Sequence, residues 1–322
     1  MDLLDRLLGL MPVSGTLDLR CQFGSPWRLF HQVSESHEIP YHILLRGVSV
    51  VEDDAGEPIR MRAGDVLMFP SGAAHYMHDG SGETPIAHSR EPEGMHAVVT
   101  NHGAGAPTDL LCGRFLIPLA SRHLLRDQLP GRLLVHSLSG PATEVDPLTS
   151  TLSGNRLVRL IEMMREEALE QSAGSNALVN HLSAALFGLT LRFAGESGQN
   201  GYGVLALSQQ PRLQAALTAM FDDPGRAWTQ DELAALCHMS RATFARHFND
   251  AMGKSANDLL FEIRMAVAGR KLAQTTLPVI HVGLDVGYQS GAAFQRVFKK
   301  HTGLTPAQWR ARAHAELMGG KA

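Results

Sequence analysis

Two cysteines in apolar segments are the side chains of this chain best suited to redox chemistry. Cys21 lies in an early strand-like segment and Cys112 in a later one. In a reducing compartment, two thiols within disulfide reach would suit a redox switch. Arg20 and Arg114 are near them in sequence and would favour the thiolate forms. Taken alone, each cysteine fits better as a small core residue, because free cysteine is commonly buried.

Sixteen histidines raise a second chemical option, a bound divalent metal. His42 and His75 are the candidate ligands, since neutral imidazole is a common metal ligand. Further histidines lie in the same half of the chain: His31, His37, His78 and His88. A metal enzyme would need about three convergent His or Glu ligands around an open position. The sequence shows no such constellation, so we expect no catalytic residues and no obligatory cofactor.

The C-terminal third contains a repeat with an offset of fifty residues. In each copy two phenylalanines lie four residues apart and share one face of a helix, while an arginine between them projects elsewhere. The matching pairs are Ser240 and Ser290, Ala242 and Ala292, Phe244 and Phe294, Arg246 and Arg296, Phe248 and Phe298, and Gly253 and Gly303.

A short helix and a turn precede the capped helix of each copy. In the first copy, Thr229 and Glu232 have the spacing of a capping box, and Ser240 is the N-cap of the helix after the turn. In the second copy, Ser290 takes the same place. This arrangement predicts a helix-turn-helix, whose second helix enters the major groove of DNA. Cys237 lies in the first turn and is interpreted as a packing residue.

Residues 255–275 form a candidate linker helix between the copies, about 30 Å long at 1.5 Å per residue. Successive major-groove faces lie about 34 Å apart, so a rigid helix of this length would hold both readers on one side of the duplex. The alternative is a helical bundle whose phenylalanines only fill a core. Two caps and two outward arginines weigh against it.

Residues 205–312 resemble the AraC-type transcription regulators. The resemblance is carried by Trp228-Thr229, Met239-Ser240-Arg241, Val286-Gly287-Tyr288 and Gly303-Leu304-Thr305-Pro306. It implies two helix-turn-helix units that bind double-stranded DNA. By position it implies these DNA-binding residues: Arg241, Ala242, Thr243 and Arg246 in the first unit, and Ser290, Gly291, Gln295 and Arg296 in the second.

Residue chemistry suggests how these positions would divide the work on DNA. Arginine reads guanine, glutamine reads adenine, and small residues contact thymine methyl groups. Lys299, Lys300 and Arg310 are candidates for phosphate contacts instead.

Two positions depart from the family pattern. His238 stands where a turn glycine is usual, and histidine tolerates the left-handed conformation better than most residues, so the turn should survive. Gly283 stands where alanine is usual inside a helix, at a cost of about 1 kcal/mol. We therefore expect the second helix-turn-helix to be the looser one.

Residues 17–118 show short apolar runs separated by Gly, Pro and Asp, which is typical of a β-sandwich or barrel. The segment 63–75, Ala-Gly-Asp-Val-Leu-Met-Phe-Pro-Ser-Gly-Ala-Ala-His, resembles the second motif of cupin barrels, whose final histidine can bind metal. The first motif, His-x-His followed by Glu, is absent. Residues 111–115 and 129–130 look like the cupin subtype found before AraC-type domains. The opening as far as Cys21 resembles AraC-type regulators that respond to reactive chlorine.

Together these patterns predict an α+β protein: an N-terminal cupin-like β-barrel plus a helical segment, and a C-terminal all-α double helix-turn-helix domain. We expect a sensor domain over 1–195, a linker over 196–204 and a DNA-binding domain over 205–322. Helices within about 155–194 would pair two subunits or pack on their own barrel. A dimer would place four reading helices on DNA.

Composition fits this division. From Asp222 onward there are 13 Lys and Arg against 9 Asp and Glu, a net of +4, whereas the whole chain carries -3 and the remainder therefore -7. The sequence contains no apolar run of 18 residues, its first residues are acidic, and three cysteines are too few for a disulfide framework. We therefore expect a cytoplasmic protein with no membrane partner.

The expected function is transcription regulation, with activation and contact with RNA polymerase implied by the family resemblance alone. Three options remain for the N-terminal half: thiol oxidation, a bound small molecule or metal, and, as the rival class, a metal-dependent cupin enzyme. A small-molecule pocket would be lined by aromatic residues that serve equally well as core: Trp27, Phe30, Tyr41, Phe69 and Tyr76.

Overall fold

The computed structural model describes residues 2–93, 96–137, 152–170, 172–196, 203, 206–207 and 209–319. The chain forms two compact units, which we call the strand unit and the helical unit. The strand unit comprises Val13–Ile117 and Leu129–Gln199, and the helical unit comprises Met1–Pro12, Pro118–Gln128 and Asn200–Ala322.

This division differs from the linear one expected from the sequence. Residues 1–12 and 118–128 lie inside the expected sensor domain, yet they pack with the C-terminal helices. Most of the expected linker, residues 196–204, lies outside the described residues. Only Glu196 and Gly203 of this segment are described.

Short strands build the strand unit, as the sequence predicts. They are β1 (Ser14–Gly24), β2 (Arg28–His31), β3 (Glu38–Arg46), β4 (Val48–Glu52), β5 (Ile59–Arg62), β6 (Asp65–Met68), β7 (His75–His78), β8 (His88–Glu93), β9 (His96–Asn101), β10 (Pro107–Leu116) and β11 (Leu133–His136). One sheet has the order β11-β6-β3-β10-β1-β9-β8, and the other has the order β2-β7-β4-β5.

The core of the strand unit is formed by apolar side chains from both sheets. The larger sheet contributes Phe23 and Leu110 to this cluster, and the smaller sheet contributes Val51 and Met77. β3 is buried along almost its whole length, unlike a strand with one solvated face. Its other face is covered by a helix, which explains why its sequence is almost continuously apolar.

That helix is α3 (Ser175–Glu196), which follows α2 (Leu152–Glu170). The Tyr41 hydroxyl on β3 lies 2.9 Å from the Ser183 hydroxyl on α3. A Cβ on Gly15 would lie 2.4 Å from that of Ser183, so glycine permits the close approach of helix and strand. By length and composition, α3 is the one helix among the described residues that could cross a membrane. However, the face of α3 that carries Ser183 packs on the sheet of its own chain.

The helical unit is built from helices joined by short turns. They are α1 (Leu3–Leu10), α4 (Gln214–Asp222), α5 (Gln230–Leu236), α6 (Arg241–Met252), α7 (Ala256–Gln274), α8 (Val279–Asp285), α9 (Gly291–Thr302) and α10 (Pro306–Gly319). α5 with α6, and α8 with α9, are the two predicted helix-turn-helix units. α7 joins them and has 19 residues, about 28 Å at 1.5 Å per residue.

The predicted caps are present. The Thr229 side chain accepts from the Glu232 amide in a reciprocal capping box, which starts α5. Ser240 and Ser290 cap α6 and α9 by accepting from backbone amides three residues later. α6 ends at Gly253 and α9 ends at Gly303, and both glycines adopt the left-handed conformation. The two units therefore share their local sequence signals as well as their fold.

The repeated phenylalanines hold each unit together, as predicted. Phe244 and Phe248 are fully buried with ring centroids 5.6 Å apart, and Phe294 and Phe298 are fully buried at 5.5 Å. Gly283 on α8 faces Phe294, and a Cβ there would lie 2.9 Å from its ring. The glycine thus allows close packing of α8 against α9, and the looseness expected of the second unit stays a prediction.

Two outlying segments complete the helical unit. Arg6 on α1 forms an ion pair with Asp222 at the end of α4. In the segment 118–128, Ala120 is buried in the same cluster as Phe294. A Cβ added to Gly269 on α7 would lie 2.5 Å from the Cβ of Ala120, so this glycine permits the close approach. Both segments are therefore integral parts of the packing around the two helix-turn-helix units.

Candidate nucleic-acid interface and sensor cluster

The first reading helix presents the implied residues at its start. Arg241, Ala242 and Arg246 on α6 are exposed, whereas Thr243 is half-buried. The Thr243 hydroxyl accepts from the Ser240 hydroxyl at 2.9 Å, so its first contact belongs to the cap.

The two arginines of α6 differ in their surroundings. The Arg241 guanidinium donates to Gln230 at 3.2 Å and lies 3.6 Å from a carboxylate oxygen of Asp231. Arg246 has no ion-pair or hydrogen-bond partner among the described residues. Arg246 is therefore the freer of the two to contact DNA.

The second reading helix presents a longer row of exposed polar side chains. Gln295, Arg296, Lys299 and Lys300 on α9 are all exposed, as is the capping residue Ser290. Gly291 is half-buried against Ile280 of α8. Within the described residues, the basic side chains of this row have no carboxylate partner, so the outer face of α9 is positively charged.

The turns also match the sequence analysis in part. His238 has a φ of 53°, so histidine does hold the left-handed position of the first turn.

Arg310 forms hydrogen bonds within the helical unit. Its guanidinium donates to the backbone carbonyls of Leu272 and Leu277. These bonds anchor α10 to the end of α7, and the phosphate contact expected of Arg310 stays a prediction.

The two cysteines of the strand unit are neighbours. β1 and β10 are antiparallel, and Cys21 is opposite Leu110 while Leu19 is opposite Cys112, which places both cysteines diagonally on one face. Both are buried free thiols in the core. Hydrogen bonding with Cys21, and then burial, raises the pKa of Cys112 well above its ordinary value.

The arginines near these cysteines do not stabilise thiolates, contrary to the sequence expectation. Arg114 donates to Asp18 at 2.8 Å and to Glu38 at 2.6 Å, and Arg20 lies 3.6 Å from Glu93. Carboxylates therefore balance both guanidinium charges, and the raised pKa of the Cys112 thiol is in keeping with this.

A cluster of histidines lies beside Cys112. His42 on β3 is directly opposite Cys112 on β10, and its Nε2 lies 2.8 Å from the Nε2 of His75. The ring of His31 on β2 has its centroid 4.4 Å from that of His42. The structure thus brings together the two predicted metal ligands, His42 and His75, with the Cys112 thiol. It adds His31, which the sequence analysis named only as a further histidine.

Burial keeps these rings neutral. Burial, and then the charge of His75, lowers the pKa of His31 to about 3. Burial lowers the pKa of His42 well below its ordinary value and also lowers that of His75. Neutral imidazoles are the form that binds metal. A cavity of about 100 Å³ adjoins His31, His42 and Cys112.

The aromatic residues considered for a ligand pocket are dispersed. Trp27 and Phe69 belong to the apolar core between the sheets. The Tyr41 hydroxyl forms a hydrogen bond with the Ser183 hydroxyl on α3. Phe30 and Tyr76 are exposed and contact each other with tilted rings, whose centroids lie 4.6 Å apart. They therefore do not converge on one small-molecule site.

Two helix-turn-helix units on a rigid helix, with a strand-rich cupin-like unit on the same chain, define a DNA-binding transcription regulator. Residues 2–194 match the family described as Cupin, and residues 233–312 match the family described as Helix-turn-helix domain. The chain belongs to the AraC-type regulators with an N-terminal cupin domain, and it is not an enzyme.

Relatives match over nearly the whole chain. The RCS-specific HTH-type transcriptional activator RclR of Escherichia coli (strain K12) is 30% identical over 97% of this chain and 98% of its own. An uncharacterized HTH-type transcriptional regulator of Haemophilus influenzae is 30% identical over 96% and 98%. A solved AraC-type DNA-binding domain protein from Chromobacterium violaceum is 27% identical, covering 33% of this chain and 96% of its own, with a TM-score of 0.32.

Proposed function

We propose that this regulator activates transcription in response to oxidation of Cys21 and Cys112 by reactive chlorine. The observation that carries the proposal is the contact between these two buried thiols on adjacent strands. The printed name of the Escherichia coli relative, an activator specific for RCS, supports both the signal and the direction of regulation.

Cys112 is the thiol that meets the oxidant first, because it borders the cavity. The Cys112 sulfur attacks the chlorine of hypochlorous acid and gives up its proton, which forms a sulfenyl chloride and releases water. The sulfur of Cys21 then displaces chloride and gives up its proton, and a disulfide forms. The two thiols and hypochlorous acid thus yield the disulfide, chloride, a proton and water.

The chain connects both cysteine strands directly to the helical unit. β1, which carries Cys21, follows α1, and β10, which carries Cys112, is followed by the segment 118–128. A disulfide that shifts either strand therefore pulls on a segment packed around the helix-turn-helix units. We propose that this population shift changes how α6 and α9 are presented to DNA.

Base reading is assigned to the exposed side chains of α6 and α9. Arg246 and Arg296 would read guanine, and Gln295 would read adenine. Lys299 and Lys300 would contact phosphates at the end of α9. The small residues at the helix starts, Ala242 and Gly291, would allow close approach to the base edges.

We further propose that the regulator acts in the cytoplasm as a homodimer that contacts RNA polymerase. One face of α3 packs on its own sheet, but Met163 and Leu169 on α2 and Leu178 on α3 are exposed apolar side chains. A second copy would cover them. Sedimentation of the full chain tests this: a monomer at micromolar concentration would contradict it.

Disulfide mapping tests the proposed signal. The reduced full chain is treated with equimolar hypochlorous acid and digested without reductant, and cysteine peptides are identified by mass spectrometry. We expect a Cys21–Cys112 cross-link, with Cys237 left as a thiol. Cys21→Ser should abolish the cross-link and Cys237→Ser should preserve it. Oxidation that spares both Cys21 and Cys112 would contradict the proposal.

A further inference from the structure

We propose that His31, His42 and Cys112 bind a zinc ion inside the strand unit, with Cys112 as its thiolate ligand. One donor atom from each residue lies within 4.8 Å of the others. Two of the three ligands, His31 and Cys112, lie outside the candidate pair His42 and His75 that the sequence analysis proposed.

A chain of hydrogen bonds determines which nitrogen of His42 carries the proton. His75 Nδ1 lies 2.9 Å from the Ala73 carbonyl oxygen, which can only accept, so Nδ1 is protonated. In the neutral ring, His75 Nε2 therefore has the lone pair. It lies 2.8 Å from His42 Nε2, which must donate the hydrogen. His42 Nδ1 is thus left with a lone pair.

That lone pair has no partner. His42 is 1% exposed, and its Nδ1 has no hydrogen-bond partner among the described residues. The same holds for Nε2 of His31. Leaving a buried polar atom unsatisfied is costly, and such atoms in native proteins usually have an ion, a water or a functional role. Two unsatisfied imidazole nitrogens beside one thiol are a donor set for a metal.

The separations allow binding after a small contraction. Zinc bonds of about 2.0 Å to nitrogen and 2.3 Å to sulfur place tetrahedral ligands about 3.5 Å apart. Closing a spread of up to 4.8 Å therefore needs shifts of about 1 Å. The cavity of about 100 Å³ beside the three residues gives an ion room to enter.

The donor chemistry favours zinc. A thiolate with imidazoles selects zinc or other soft transition metals over magnesium and calcium, which prefer oxygen. Zinc also has no redox change of its own, which suits a site next to two oxidisable thiols. His75 is a positioning residue here, because its contact with His42 Nε2 orients the ring in the way that bonded neighbours orient metal-binding histidines.

The site would answer a difficulty in the thiol switch, and this step rests on the proposed function. Cys112 is a buried thiol beside Cys21, whereas the thiolate is the reactive nucleophile. A zinc ion bound there would hold Cys112 as the thiolate, because cysteine gives up its proton when it binds the metal. Oxidation by hypochlorous acid then uses the sulfur lone pair that bound the metal, the Cys21–Cys112 disulfide forms, and the ion is released.

Metal content and a cobalt spectrum test the site. The full reduced chain is saturated with Zn²⁺, desalted and analysed for zinc by mass spectrometry, and a parallel sample is loaded with Co²⁺. We expect about one metal per chain and a thiolate-to-cobalt charge-transfer band. Cys112→Ser and His31→Gln should weaken zinc binding at least tenfold, whereas Cys237→Ser and His102→Gln, which change residues outside the site, should not.

The wild-type spectrum keeps the test valid even if a core variant fails to fold. Absence of stoichiometric zinc, or a cobalt complex without a thiolate band, would overturn the proposed site. Cys21→Ser should keep the zinc but lose the disulfide. Zinc bound as expected in a protein whose transcription ignores hypochlorous acid would support the site and contradict the proposed switch, so the two failures are distinguishable.

Discussion

Cys112 lies directly opposite His42 in the antiparallel pair of β10 and β3, and diagonally beside Cys21 in the pair of β10 and β1. One side chain therefore contacts both the second thiol and the histidine cluster. A change in the chemistry of Cys112 must affect β10 first, and β10 leads directly into the segment 118–128 of the helical unit.

Loss of the free arginines should weaken selective DNA binding. We expect Arg246→Ala and Arg296→Ala each to cost about 1–3 kcal/mol on the preferred DNA sequence and little on unrelated DNA. Gel-shift titration against both DNAs at fixed salt measures the difference. Arg156→Ala, an exposed arginine on α2, is the matched control. Equal losses on both DNAs would show that these arginines contact phosphates only.

The lysines at the end of α9 should behave differently. Lys299→Ala combined with Lys300→Ala removes two exposed charges, so binding should weaken similarly on all sequences. The slope of log affinity against log salt concentration should fall by about 2, because fewer counterions are released. An unchanged slope would mean that neither lysine contacts the DNA backbone.

Gly283→Ala should destabilise the helical unit, although alanine is the better helix former. The added Cβ would lie 2.9 Å from the buried Phe294 ring, and overpacking of this kind costs about 1–3 kcal/mol. Thermal unfolding followed by circular dichroism measures the effect. Gly291→Ala is the control, since its Cβ would make an ordinary 3.4 Å contact with Ile280. A gain in stability for Gly283→Ala would show that the ring yields easily.

Acid should weaken the helical unit through His301. Burial, and then His123, lowers the pKa of His301 from 6.5 to about 4. The unfolded chain binds its proton near pH 6.5 and the folded chain only near 4, so this contribution is complete above pH 6.5 and is lost as the pH falls toward 4. His301 is only partly buried, so we expect a loss of about 1–2 kcal/mol.

Urea titrations at pH 7.5 and pH 4.5 measure that loss. His301→Gln should reduce the difference between the two pH values, because its side chain does not titrate. The groups facing His301 are His123, Arg122 and Asp127, all in the segment 118–128. An undiminished pH difference in the variant would assign the acid sensitivity to other titratable groups.

The features that follow from local sequence were predictable. The capping residues, the paired phenylalanines and the left-handed turn at His238 each depend on residues within a few positions of one another. The strand-rich N-terminal half was also legible, because its apolar runs have the length of strands and its turn residues separate them.

The errors came from strand geometry and long-range pairing. Successive side chains of a strand point to opposite faces, so Arg20 cannot accompany Cys21 into the core. The meeting of His31 with His42 requires two strands of different sheets to approach, which no local pattern encodes. The packing of residues 118–128 with the C-terminal helices has no local signal either, because it depends on contacts distant in sequence, such as those of Ala120 with Gly269 and of His123 with His301.

The connection between β1 and the helix-turn-helix units can be weakened by a substitution that leaves both thiols in place. Arg6→Ala removes the ion pair between α1 and Asp222, at the junction that leads to β1. We expect oxidation to form the Cys21–Cys112 disulfide as before, with a smaller change in transcription. Peptide mapping and a reporter assay on the same variant measure the two steps. A full transcriptional response would show that α1 does not carry the signal.

Transcription from the DNA upstream of its own gene and neighbouring genes tests the central claim most directly. Purified protein is added to RNA polymerase and this template, reduced or after mild treatment with hypochlorous acid, for the wild type, Cys21→Ser, Cys112→Ser and Cys237→Ser. The account predicts that oxidation increases transcription with the wild type and Cys237→Ser, and that neither of the other variants responds. A response of Cys21→Ser and Cys112→Ser as large as that of the wild type would contradict it.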